Sequence, residues 1–533
     1  MQRRGFLAGA AALAAAPVVA PGGTLAQPAV GGRSRTLVHV PQSNLTSLAP
    51  VWTTAAATRN HAHLVWETLY GRDQKLNARP QMVEGHVVEE GGLRWTMKLR
   101  DGLRFHDGTP VLARDCVASI RRWMKRDQIG LSIEARLDAL EAADDRTLVW
   151  RLNKPFSALP YALCRHQPSC AIMPERLART DPYKQVPEIV GSGPFRWVAD
   201  EFVTGSRAVY ARNDRYVPRD EAVDYCAGGY RVLVDRVEWR VIADAGTAVS
   251  ALITGEVDWI EQPLPDLLGR LRRAPGVVVA PTDIYGTFAA LRFNHLNAPT
   301  DNAAIRRAML ACVDQVEVMT AMMGDATELY RAPVGYFLPG TPSETEAGMA
   351  AVRARRSDAE IRAMLKDAGY SGQRIVLLHP SDQTFYDAAS HVVLAAFRRV
   401  GLNVEDVVTD WGTVVQRRAS REPLDRGGWS LFPHGLPAAE YRDPIFASTM
   451  RGNGQAGFFG WPSDPVIEAL RDRWIDSADP AEQKRLDAEI QAQAFRHVPF
   501  IPMGQYFPPA AWRSTITAPQ KGVVPVFWGV AKA

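Results

Sequence analysis

Few residues in this chain are spaced for bond-making or bond-breaking chemistry. Gly452-Asn453-Gly454-Gln455-Ala456-Gly457 has the GxGxxG spacing of a phosphate-cradling loop. That chemistry needs a helix to open directly after the glycines. Phe458-Phe459-Gly460-Trp461-Pro462 follows instead and cannot open one. There is no GxxxxGK[ST], so the chain is not an ATPase of that type. His61 and His63 stand one residue apart in an expected helix, point to different faces and make a poor metal pair. No HExxH, no GxSxG and no matched nucleophile and base stand out, and the scattered carboxylates build no acid/base pair. His106-Asp107 falls in a Gly-Thr-Pro turn, where turn and helix-entry chemistry account for it. The expectation is therefore no catalytic set, no metal ligands and no cofactor.

Composition frames this. The 533 residues are 46% hydrophobic and 23% charged, ordinary for a soluble globular chain. The length suits about two to four domains. The formal charge is +4, falling to +2 once Arg3 and Arg4 are discounted, which gives no electrostatic case for nucleic acid. Residues 1–26 read as a signal peptide: Arg3-Arg4-Gly5-Phe6-Leu7 fits the twin-arginine export pattern, an apolar run reaches Ala20, and cleavage after Ala26 suits the small residues there. No run of about 18 apolar residues follows, so no internal membrane span is expected. The mature protein is expected in the periplasm. Cys116, Cys164, Cys170, Cys226 and Cys312 are odd in number and contain no CxxC. Cys116 and Cys312 suit helix cores, and a Cys164–Cys170 bond across a short loop is left open.

The elements follow from periodicity. Residues 86–100 alternate polar and apolar around Gly91-Gly92, a hairpin with one buried face. Leu99–Met124 reads as strand end, turn, and a helix with Val111, Leu112, Val117, Ile120 and Trp123 at roughly helical spacing. Later, helices over 357–368, 387–400 and 411–420 alternate with strands over 374–378, 403–408 and 429–432. That alternation predicts an α/β unit with largely parallel strands. Interlobe crossings are expected at Pro281–Gly286 and again at Val498–Pro502.

Leu99–Val117 closely resembles the "LRxGxxFHDGxPxxAxDV" signature of the extracytoplasmic solute-binding proteins of peptide/nickel-type ABC importers (family 5). Val190-Gly-Ser-Gly-Pro-Phe-Arg-Trp197 is similar to that family's "GTGPF/Y" turn, and Phe293–Gln315 to its "PPFDDxRVRQAxxxAID" segment. The resemblance runs from about residue 36 to about 505. It implies an α/β, type II periplasmic-binding-protein fold: two main lobes, two crossings and an extra inserted lobe. The expected division is lobe I at 27–67, 194–283 and 503–533, lobe II at 68–193, and lobe III at 284–502. It also implies a binding protein, not an enzyme, probing for a small-molecule or peptide-like ligand and handing it to an inner-membrane permease and its ATPase. A monomer is expected, and a secreted hydrolase or metalloenzyme using the same cleft is the alternative. In dipeptide-binding relatives an Asp after the 429–432 strand holds the peptide amine, and an Arg in the third lobe holds its carboxylate. Here the first position is Phe432, and Pro380–Tyr386 contains no Arg. An unpaired buried ligand charge costs several kcal/mol, so a free dipeptide is expected to bind poorly. The residues expected at the ligand are Trp429, Phe432, His434, Tyr285, Phe385 and Asn60, with Trp411 a weaker candidate.

Overall fold

The structure is a computed structural model that describes residues 35–53, 55–477 and 479–533. The expected signal peptide lies outside them. Three larger sheets and a two-stranded ribbon, Tyr70–Arg72 with Ala78–Pro80, organise the described chain. The first has seven strands in the order Val277–Pro281, Pro509–Arg513, Trp259–Ile260, Thr36–Val40, Arg236–Arg240, Arg207–Arg212 and Phe195–Trp197. Its central strand Thr36–Val40 runs parallel to both neighbours. Both faces of that strand are covered, which its run of apolar residues anticipates. The sheet draws on the start, middle and end of the chain.

The second sheet has six strands in the order Tyr330–Arg331, Phe500–Tyr506, Thr287–Phe293, Leu431–Pro437, Ile375–Pro380 and Val404–Thr409. Only the pairs made by Ile375–Pro380 are parallel, and Thr287–Phe293 is antiparallel to both neighbours. The expected parallel pairing holds among the three strands of the 374–432 unit, while the strands added by distant segments are antiparallel. Alternation with helices identifies the 375–409 unit but says nothing about strands contributed by distant segments. The third sheet is antiparallel, Val83–Glu89, Arg94–Leu99, Thr147–Leu152 and Leu137–Ala142. It contains the expected hairpin.

The chain passes from the seven-stranded to the six-stranded sheet between Pro281 and Thr287, and back between Tyr506 and Pro509. The return lies later than expected because the whole run Phe500–Tyr506 is needed to pair with Thr287–Phe293. The two passages press together at Gly286, at φ +68°, where a Cβ would come within 2.4 Å of the Tyr506 carbonyl oxygen. Only glycine fits there.

The Leu99–Met124 stretch is a structural joint. Asp107 closes its turn by accepting from Thr109 N–H at 3.0 Å. Helix Ala113–Met124 follows, and the Asp115 carboxylate accepts from Leu112 N–H at 2.8 Å and from Glu175 N–H at 2.8 Å. Cys116, Ile120 and Trp123 are buried under it. His106 donates through Nε2 to the Gly193 carbonyl at 3.0 Å, and its backbone N–H to the Gly191 carbonyl at 2.8 Å. Burial lowers the His106 pKa to about 4, so the ring is neutral. The two signature segments are therefore hydrogen-bonded to each other. All five cysteines are free and buried, Cys164 and Cys170 included.

Candidate functional site

A cleft of about 960 Å³ opens between the sheets. One wall comes from the segments after the first strand and from Trp259–Gln262; the other comes from Asp382–Tyr386, Trp411–Arg421, His434–Tyr441 and Phe458–Trp461. The passages contribute Thr282, Asp283, Tyr506 and Pro508, and Asp127 and Arg165 close one end. The size is that of a ligand site for a drug-sized molecule or short peptide.

At that end the buried arginines have carboxylate partners, although Arg72 Nε and Nη2 make no hydrogen bond. Glu440 sits on the turn after strand Leu431–Pro437 and accepts from Arg72 Nη1 at 3.1 Å and Arg165 Nε at 3.0 Å. Arg165 also donates to Asp127 at 2.7 Å. Asp127 in turn caps helix Gln128–Glu134 by accepting from Ile129 and Gly130 N–H. Burial pushes the Asp127 carboxyl up and Arg165 pulls it back. This alternating chain joins segments 368 and 275 residues apart, so it ties the end of the cleft to the wall that carries Glu440.

The opposite wall differs. Arg418 follows helix Trp411–Arg417, its N–H bonded to Val414 O at 2.8 Å. Its side chain lines the cleft, yet the residue is only 7% exposed. Its guanidinium lies over Phe459 at 4.7 Å, Trp411 at 5.7 Å and Phe432 at 5.9 Å. Among the described residues no carboxylate, carbonyl or hydroxyl accepts a hydrogen bond from it, and its buried Nε is unpartnered. Burial lowers its pKa to about 10, which leaves it charged at neutral pH. Aromatic faces attract a cation, but they do not satisfy five N–H donors. The arrangement is ready to accept an anionic group. Beside it, His434 is buried, its Nε2 unpartnered, its ring stacked on Phe458 at 6.0 Å. Burial holds the His434 imidazole well below its ordinary value, so it is neutral.

A second polar group faces the cleft from helix Ala56–Val65. Arg59 lines it and donates through Nε to Asn60 Oδ1 at 3.0 Å. Asn60 donates to Glu261 at 2.9 Å, and Gln42 to the same carboxylate at 2.7 Å. Against burial, the nearby His39 imidazole and hydrogen bonds from Gln42 hold the Glu261 carboxyl below its usual value. Asp283, on the first passage, has its carboxyl raised to about 6 by burial, with the Tyr285 and Gly286 N–H groups opposing.

Of the expected residues, His434 and Phe385 line the cleft. Phe385 packs its ring against Tyr506 at 5.2 Å. Trp429 is placed elsewhere: it is fully buried in a small apolar cluster and its indole N–H donates to Ser420 O at 3.2 Å. Phe432 is also fully buried, one layer behind the wall and beneath Arg418. It shares a strand face with His434, two residues on, but the guanidinium covers it. Asn60 is buried, with its amide committed to Arg59 and Glu261. Tyr285 backs the crossing, its hydroxyl donating to Gln74 O at 3.3 Å. Trp411 does line the cleft. Arg418 and Glu440 were missed. Arg418 is one of three arginines within five residues, and nothing local separates it from its neighbours Arg417 and Arg421.

Comparison with known proteins identifies the family and the fold. Residues 77–458 match the family described as bacterial extracellular solute-binding proteins, family 5 Middle. The chain is 37% identical over 531 residues to a probable peptide ABC transporter periplasmic-binding protein of Sinorhizobium fredii, covering 99% of this chain and 98% of that one. Among solved structures, it is similar to the PBP AgaA of A. tumefaciens R10 in complex with agropinic acid, at TM-score 0.78 and 19% identity, covering 93% and 99% of the two chains. A Helicobacter pylori DppA in complex with peptide STSA matches at TM-score 0.78 and 18% identity, over 93% and 98%. These matches establish the type II periplasmic-binding-protein fold.

Proposed function

Since this chain belongs to the bacterial extracellular solute-binding proteins of family 5, the substrate-binding components of peptide/nickel-type ABC transporters, we propose that its cleft captures a solute carrying an anionic group, held by Arg418. The observation that carries this reading is the buried, cleft-facing guanidinium, whose Nε meets no acceptor among the described residues. A protein tolerates such a charge at a cost of several kcal/mol, and a ligand carboxylate offsets that cost when it docks. Trp411, Phe459 and Phe385 supply flat apolar faces around it. Asp382 and Asp283 are acids available to an amine. A zwitterionic, peptide-like compound therefore fits better than the missing family anchors imply.

The residues divide into lobe I (27–67, 194–283 and 503–533), lobe II (68–193) and lobe III (284–502). Ligand binding favours the closed arrangement of lobes I and III by its greater affinity for it. The closed monomer then delivers the solute to the membrane permease and its ATPase. The chain acts in the periplasm, exported on the twin-arginine signal of its first 26 residues. The family and the names of its relatives speak for transport over a hydrolase or metalloenzyme.

A thermal-shift screen of the mature protein with peptides, opines and their carboxamides tests this. Stabilisation by acids and not by the matched amides is expected. Equal stabilisation by the amides overturns the Arg418 role.

A further inference from the structure

We propose that His379, Asp387 and His391 form a site for a divalent transition-metal ion on the outside of the 375–409 unit. His379 closes on strand Ile375–Pro380, while Asp387 and His391 stand four residues apart on helix Thr384–Arg399 and so share a face. Their donor atoms all lie within 4.8 Å of one another. His379 Nε2 is 2.8 Å from Asp387 Oδ1, and His391 Nε2 is 3.6 Å from the same oxygen.

The decisive feature is the fourth residue. Asp406, on strand Val404–Thr409, lies 2.9 Å from His379 Nδ1. A carboxylate there accepts a hydrogen bond from Nδ1–H and leaves Nε2 with a lone pair aimed at Asp387. Two acceptors then face each other at 2.8 Å, and something positive must sit between them. A second proton on His379 is one answer. A metal is the other, and His391 is placed to complete it. Metal-bound histidines are held by a carboxylate on the far nitrogen in this way. Zinc–nitrogen and zinc–oxygen bonds of about 2.0–2.2 Å put neighbouring donors about 3.3–3.5 Å apart, which small side-chain rotations reach from 2.8 and 3.6 Å.

Two imidazoles and one carboxylate suit zinc, nickel or copper and not calcium or magnesium, which take oxygen. His391 is 65% exposed, so an ion enters from solvent and keeps a position for water. Helix Thr384–Arg399 begins with Phe385 and Tyr386, which line the cleft. The ion pins that helix to its strand, and the site stands whether or not the cleft takes an acid.

Equilibrium dialysis of the tag-free, chelator-stripped mature protein against zinc chloride and nickel chloride, read by elemental mass spectrometry, tests it. One equivalent bound at micromolar metal is expected. His391→Ala should weaken binding at least about 10-fold, and Asp406→Asn about 10- to 100-fold. The exposed His391 is dispensable to folding, and Asp387→Asn serves as a second ligand variant. No bound equivalent in the wild-type protein, or undiminished binding in both ligand variants, overturns the site.

Discussion

The two ends of the cleft treat buried arginine in opposite ways. At one end Arg72 and Arg165 are neutralised by Glu440 and Asp127 at 2.7–3.1 Å. At the other, Arg418 lies over three aromatic rings, and among the described residues nothing accepts from its Nε. The first arrangement has each guanidinium ion-paired without a ligand, although Arg72 Nε and Nη2 remain unpartnered, and it therefore does structural work. The second is incomplete and therefore marks where a ligand completes it. Fully paired buried charges tell little about specificity; an unpaired one facing a cavity tells a great deal.

The largest effect should come from breaking the paired end. Glu440→Ala leaves Arg72 and Arg165 without their shared acceptor, and loss of one partner of a buried pair costs about 3–5 kcal/mol. The unfolding midpoint should fall sharply, while Arg418→Ala leaves it unchanged or raises it. If both variants lose stability alike, the contrast between the two ends fails.

Next comes affinity. Arg418→Ala should weaken ligand binding about 100-fold, the loss of about 2.8 kcal/mol expected for a desolvated charge pair. Arg418→Lys should recover part of it, since the point charge remains but the fork is lost. Calorimetric titration reads both.

A third prediction concerns buried imidazoles, which the fold keeps neutral as it keeps Arg418 charged. Burial lowers His61 and His63 to about 3. The unfolded chain protonates these rings below about pH 6.5, the native chain does not until near 3, so stability is lost as pH falls through that window. Each contributes up to about 1.4 kcal/mol per pH unit. Asp487, raised to about 6 by burial, acts in the opposite sense, its contribution being lost as pH rises from about 4 to 6. The histidines outweigh it, and melting should occur at lower temperature at pH 5 than at pH 7. A higher melting point at pH 5 contradicts the assignment. The smallest effect is Phe459→Leu, which removes the nearest ring under Arg418 and should cost about 0.5–1 kcal/mol of affinity.

Much of the fold was legible. Strict alternation around Gly91-Gly92 marks the hairpin, and the Leu99–Val117 wording marks the family. The joint it forms, His106 on the Gly191 and Gly193 carbonyls, explains why that wording and the Val190–Trp197 segment occur together. The site was less legible. Trp429 and Phe432 sit in an interior strand region covered on both sides, where an aromatic run does not reveal which ring meets solvent. Asn60 was recognised as a polar point, but its partner Glu261 is 201 residues away, so its commitment could not be seen. Its neighbour Arg59 faces the cleft in its place. Arg418 is picked out only by tertiary structure, which buries it and withholds an acceptor.

Native mass spectrometry of wild-type and Arg418→Ala protein recovered from the periplasm tests the central claim most directly. The account predicts that the wild-type chain carries a bound compound bearing an acidic group and that the variant is recovered without it. A neutral or purely cationic compound on the wild type, or the same compound retained equally by the variant, would contradict it.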